Sequence, residues 1–137
     1  MKCLSTIKWI GENITSKKRE ATREEARRIL RNGILDMSVA RLIQMSQFGL
    51  MGNIELHNGF ALVNNIFNHI TFDEDTRCIA FSVREADMGD NNYGSISFCV
   101  DSITDISGCD DKDNPEEYLN VNIRLQDNSA ISIKILY

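Results

Sequence analysis

Residues 22–49, TREEARRILRNGILDMSVARLIQMSQFG, form the stretch in which hydrophobic period, cap residues and charge all point to one structure. Thr22 with Glu25 makes a capping box, in which the threonine hydroxyl takes an orphan backbone N–H and the glutamate reaches back to the cap residue's own. A helix is predicted from there or slightly earlier, with Ala26, Ile29 and Leu30 on one stripe. Asn32 and Gly33 supply a left-handed exit, and Ile34 folds back onto Leu30 as the hydrophobic contact of a Schellman ending. Asp36 or Ser38 then caps a second helix, whose Val39, Leu42, Ile43, Met45 and Phe48 recur at three-to-four spacing until Gly49 releases the chain. Two short helices joined by a turn of about three residues suit a helical hairpin or a helix-turn-helix corner.

Upstream, Leu4, Ile7, Ile10 and Ile14 recur at helical spacing with Trp9 beside them, which predicts another helix; Gly11 and the β-branched content leave a strand as the alternative. Thr15 and Ser16 precede KKRE, a loop or an extra N-terminal turn of the helix that follows. Arg19, Arg23, Arg27 and Arg31 step by four along that helix and make a ridge of guanidinium groups, thickened by Lys17, Lys18 and Arg28. Such a ridge is a solvated helix face, a phosphate contact, or a contact with an acidic protein surface, this chain's own included. Glu24, four residues before Arg28, is placed to pair with it.

After Gly52 the period changes and the chain reads as antiparallel β. Asn58-Gly59 between IELH and FALV is a hairpin signal, both residues tolerating the positive φ of a type I′ turn. HITF and RCIAFSV form a second pair across Asp73 to Thr76. From Tyr93 to Val100, Ile96 and Phe98 alternate with serines in the manner of a half-buried strand. Ile103 and Ile106 fit a short helical turn or a bent strand. The segment GCDDKDNPEE holds the only proline and is predicted to be a mobile loop. The clearest hairpin closes the chain, with Leu119, Val121, Ile123 and Leu125 on one strand and Ile131, Ile133 and Ile135 on the other, across Gln126 to Ser129. The fold class expected is α+β: N-terminal helices over residues 1–49 packed on a strongly bent antiparallel sheet, small barrel or sandwich of six or seven strands over residues 53–137.

A chain of 137 residues with 42% hydrophobic content is long enough for one domain with its own core. It has no apolar run long enough for a membrane helix and no N-terminal secretory pattern, so a soluble cytoplasmic protein is expected, with no membrane partner. Cys3, Cys78, Cys99 and Cys109 fall in no C-x-x-C pair and read as reduced structural thiols. The net charge of −5 hides a split. Residues 1–52 carry ten Lys/Arg against five Asp/Glu, and residues 53–137 carry five against fifteen. Such polarity implies a charged partner, or a salt-bridged seam between the two halves.

No motif carries chemistry. His57 and His69 stand at strand ends, without metal-ligand spacing to a cysteine or to each other. Neither Asp87, Asp90 and Asn92 nor Asp110, Asp111 and Asp113 match a calcium loop. Neither phosphate-loop pattern follows Gly49 or Gly52, so no cofactor is expected. A recognition helix would expose base-reading side chains at its N-terminal end, and MSVARLIQMSQF offers mainly Ser38, Arg41 and Gln44. The expectation is a non-enzymatic module that binds another protein, a nuclease or other nucleic-acid-binding enzyme, and blocks it through acidic loops at Asp73, Glu74, Asp75, Asp110, Asp111 and Asp113. By analogy of composition and architecture alone, phage-encoded anti-CRISPR and toxin-immunity proteins are inhibitors of this broad type. The alternative is a nucleic-acid-binding regulator that uses the arginine ridge of the basic helix or the helix-turn-helix corner.

Overall fold

In a computed structural model the described residues are 16–84 and 94–137, with side chains from Thr22 onward. The chain is α+β. Helix α1 (Ser16–Leu35) leads through a three-residue turn into α2 (Val39–Gln44) and a single 3-10 turn (Met45–Gln47). Among the described residues eight strands follow: β1 (Met51–His57), β2 (Leu62–Phe67), β3 (His69–Asp73), β4 (Cys78–Ser82), β5 (Ile96–Cys99), β6 (Ile103–Asp110), β7 (Tyr118–Leu125) and β8 (Ala130–Leu136). The expected helix at residues 3–14 lies outside the described residues.

The strands form two antiparallel sheets, a five-stranded one in the order β2-β1-β8-β7-β6 and a three-stranded one in the order β3-β4-β5. This corrects the barrel and the count of six or seven strands. Among the described residues each sheet ends in two unpaired edge strands, because the chain crosses at Asn68 from the end of β2 into β3 instead of continuing the larger sheet. Of the expected helical hairpin, the second helix α2 is present but has only six residues. Helix α1 packs instead on β6 and β7, while the 3-10 turn after α2 packs on β3.

The helix boundaries show what overrode the local motifs. Helix α1 starts at Ser16 and runs through Thr22, so the box of Thr22 and Glu25 is not a cap. Lys, Arg, Glu and Ala in the first turns are good helix formers and carry the helix back past it. Its end is also later than Gly33, which has no left-handed φ. Ile34 holds the final turn: its side chain is buried and its carbonyl oxygen lies where a Cβ on Gly108 of β6 would stand, 1.7 Å away. Of the two expected caps, Asp36 or Ser38, it is Ser38 that caps α2, its hydroxyl accepting from Arg41 N at 3.2 Å.

The β hairpins follow their turn chemistry. Between β1 and β2 the loop is four residues rather than a two-residue type I′ turn, because only Gly59 takes a positive φ, of 91°. Asn58 uses its side chain instead, Oδ1 accepting from Phe60 N at 3.0 Å and Ala61 N at 2.8 Å. In the β3-β4 turn, Asp73 Oδ1 accepts from Asp75 N at 2.8 Å and Arg77 takes a φ of 57°. The expected β7-β8 hairpin forms, pairing Leu119 with Ile135, Val121 with Ile133 and Ile123 with Ile131. All six are buried, and with Ile54 of β1 they form one face of the core. The smaller sheet joins that core through Phe81, whose ring meets Phe67 edge-on at 5.1 Å and stacks on Phe98 at 6.1 Å. The opposite face of the larger sheet carries Asn53, Glu55, Asn120, Asn122, Ser132 and Lys134, the polar alternation of a solvated surface.

Candidate functional site

The two charged patches expected from the sequence meet each other. Arg31 pairs with Asp110 through two hydrogen bonds, Nε to Oδ1 at 3.1 Å and Nη2 to Oδ2 at 2.8 Å. The hydrogen bond to Asp110 and the carboxylate charge raise the Arg31 pKa further. One turn earlier, Arg27 donates to the Glu116 carbonyl oxygen at 2.6 Å and lies 4.7 Å over the Tyr137 ring. Glu24 approaches Arg27 at 4.0 Å, and Arg28 pairs with Glu25 rather than with Glu24. Among the described residues one salt bridge, Arg31 with Asp110, therefore joins the two halves. Of the ridge, Arg23 stays on an exposed stretch of helix, and the side chain of Arg19 lies outside the described residues.

The acidic loops are similarly committed. Asp111 is 5% exposed, which corrects the expectation of an exposed carboxylate. Its Oδ2 accepts from Asn114 N at 2.9 Å and Asp113 N at 3.2 Å, and its Oδ1 accepts from Asn120 Nδ2 at 2.9 Å. Lys134 Nζ adds a charge at 3.6 Å. The Asn114 N–H foremost, then Asn120, lower the Asp111 pKa against the opposing effect of burial. The 111–117 loop is therefore a ring of hydrogen bonds built on one carboxylate, and Tyr137 pins it again by donating from its hydroxyl to the Pro115 carbonyl at 2.9 Å. Asp73 likewise serves its own turn. Glu74, Asp75 and Asp113 remain exposed to solvent. Glu85, Asp87 and Asp90 lie outside the described residues.

Two surfaces that the sequence reading did not single out have more scope. The first is a cleft of about 490 Å³ between α1, the 3-10 turn and β3, lined among others by Arg27, Leu30, Phe48, His69, Arg84 and Tyr137. No Asp or Glu is among its described lining residues. Arg84 stands at its rim, Nε 3.5 Å from His69 Nδ1, with its backbone N–H bound to Asn68 Oδ1 at 2.9 Å.

The second is the outer edge of β2. The strand pairs with β1 on one side, and among the described residues nothing pairs with its other side. Leu62, Val63 and Ile66 are 57%, 45% and 54% exposed, and Phe60 in the preceding loop is fully exposed. Ile66 also borders an open groove of about 500 Å³ with Met51, Tyr118, Val83 and Leu136. A signal for this edge stands in LVNNIF itself: Leu62 and Ile66 fall on one face, Val63 and Phe67 on the other, and no residue is charged. A strand with one face in water has no need of apolar residues on both.

Among the described residues no three His, Cys, Asp or Glu converge as a metal site, and no helix is long and apolar enough to cross a membrane. Comparison with protein-family models, with curated proteins and with solved structures finds no match.

Proposed function

We propose that this chain is a protein-binding module, without catalytic chemistry of its own, that takes up an extended segment of a basic partner along the open edge of β2. The observation that supports this is an uncharged edge strand bearing exposed Leu62, Val63 and Ile66 beside the fully exposed Phe60. Exposed edges in monomers are commonly guarded by lysine, proline or a bulge, and an apolar unguarded edge suits strand addition, in which main-chain hydrogen bonds give affinity and alternate side chains give specificity. The net charge of −5 opposes the approach of a second copy and steers a basic protein toward this one. Enzymes that handle nucleic acid present such basic surfaces, so inhibition of one is the biological form of the reading. The test is a pair of variants, Leu62→Lys with Ile66→Lys, against Asp113→Lys. Cross-linking to a basic partner should map to residues 60–66 and vanish in the lysine pair alone. Equal binding by all variants, or a dimer of the parent chain abolished by the pair, would replace this reading.

The cleft supports a second reading, phosphate contact by Arg27 and Arg84. In anisotropy titrations with an oligonucleotide, neutralising each arginine should lower the salt slope by about one.

A further inference from the structure

Strands β4 and β5 pair in a register that sets Cys78 opposite Cys99. Direct opposites in an antiparallel pair share one face of the sheet, so the two thiols lie on the same side. One step along, Val100 N donates to Arg77 O at 2.9 Å, which marks residues 77 and 100 as the hydrogen-bonded pair. By the alternation of the antiparallel ladder, Cys78 and Cys99 occupy the non-hydrogen-bonded position, where Cα atoms stand about 4.5 Å apart and side chains come closest. That separation lies at the short end of the range a disulfide spans. Both Sγ atoms converge on one point, each 3.9 Å from the Thr76 carbonyl oxygen. Both residues are half-buried, within reach of a small oxidant. Cys109 has no such partner, its opposite residue being Asn120.

We propose that Cys78 and Cys99 are a modification site: a dithiol that closes to a cross-strand disulfide when it meets a low-molecular-weight disulfide. One cysteine thiolate attacks a sulfur of the oxidant and expels one thiolate, leaving a mixed disulfide on the protein. The second cysteine then attacks the protein-side sulfur and expels the other thiolate. The oxidant's S–S bond is broken and the Cys78–Cys99 bond formed. Two electrons pass to the oxidant, and the two cysteine protons end on its two product thiols. The bridge covalently fastens β5, a four-residue strand at the edge of the smaller sheet, to β4.

The experiment uses the full chain carrying Cys3→Ser and Cys109→Ser, reduced, then incubated with glutathione disulfide. Titratable thiols should fall from two to none, non-reducing peptide mapping should recover residues 78 and 99 in one cross-linked species, and dithiothreitol should restore both thiols. The oxidised form should melt about 5 °C or more above the reduced form. Adding Cys99→Ser should stop the reaction at a glutathione adduct on Cys78. Two persistent adducts, or two thiols that stay free in the folded protein, would overturn the proposal. Should the serine variant not fold, the same mapping on the parent chain decides, and a predominant link to Cys3 or Cys109 counts against it.

Discussion

Arg31 grips Asp110 with both prongs of its guanidinium, Nε at 3.1 Å and Nη2 at 2.8 Å, and so ties the basic helix α1 to the last residue of the acidic strand β6. Both side chains are partly open to water, so the pair orients α1 on the sheet more than it stabilises the fold. Arg31→Met or Asp110→Asn alone should lower Tm by no more than about 3 °C, an effect that shrinks in high salt. Exchanging the two, Arg31→Asp with Asp110→Arg, should recover part of the loss. A loss of ten degrees or more from either single change, on the order of a buried pair, would mean that the seam bears far more load than its exposure suggests.

Asp111 should make stability depend on acid. Its pKa is lowered in the folded protein, chiefly by the Asn114 N–H and by Asn120. A carboxylate with a depressed folded pKa contributes stability that is fully present above its unfolded value, about 3.9, and is lost as pH falls through the folded value. Asp111→Asn should therefore be less stable than the parent at pH 7, and the two melting temperatures should converge as pH drops below about 4. Parallel curves across that range would refute the role given to the carboxylate.

Two glycines should respond in opposite directions to alanine. Gly33 lies inside α1, and an added Cβ would meet only Arg41 Nη1 at an ordinary 3.5 Å. Gly33→Ala should stabilise by about 0.5–1 kcal/mol through its better helix propensity and narrower unfolded ensemble. On Gly108 the Cβ would fall 1.7 Å from the Ile34 carbonyl oxygen, which is backbone and cannot turn aside. Gly108→Ala should cost about 3 kcal/mol or more as α1 lifts from β6. Urea melts of the two variants check both signs at once.

Phe81 links the two sheets, touching Phe67 on one side and Phe98 on the other. Phe81→Ala should cost about 3–5 kcal/mol, since it leaves a cavity bounded by two rings that belong to different sheets. Phe60→Ala, at a fully exposed loop tip, should change stability by less than about 0.5 kcal/mol. If strand addition at β2 is correct, that same Phe60 variant should weaken partner binding while leaving the melt unchanged.

The sequence by itself determined what depends on neighbours along the chain. The period-two burial of Leu119 to Leu125 and Ile131 to Ile135, a turn at Asn58-Gly59 though not its type, a polar cap at Asp36 or Ser38 and the alternation of Ile96 with Phe98 are all local patterns, and each appears in the fold. Only the tertiary structure decided the matters of distance. The insertion of β8 between β1 and β7 pairs residues some eighty apart, and it leaves β2 as an edge with Leu62 and Ile66 in water. The ends of α1 went the same way, because burial of Ile34 against Gly108 outweighs the modest preference of Gly33 for a left-handed exit. Asp110 and Asp111 are adjacent and chemically identical, yet one faces Arg31 of the helix and the other closes a loop with Asn120. Successive residues on an extended strand point to opposite faces, and which face held Arg31 and which held Asn120 with Lys134 was settled by residues far away in the chain.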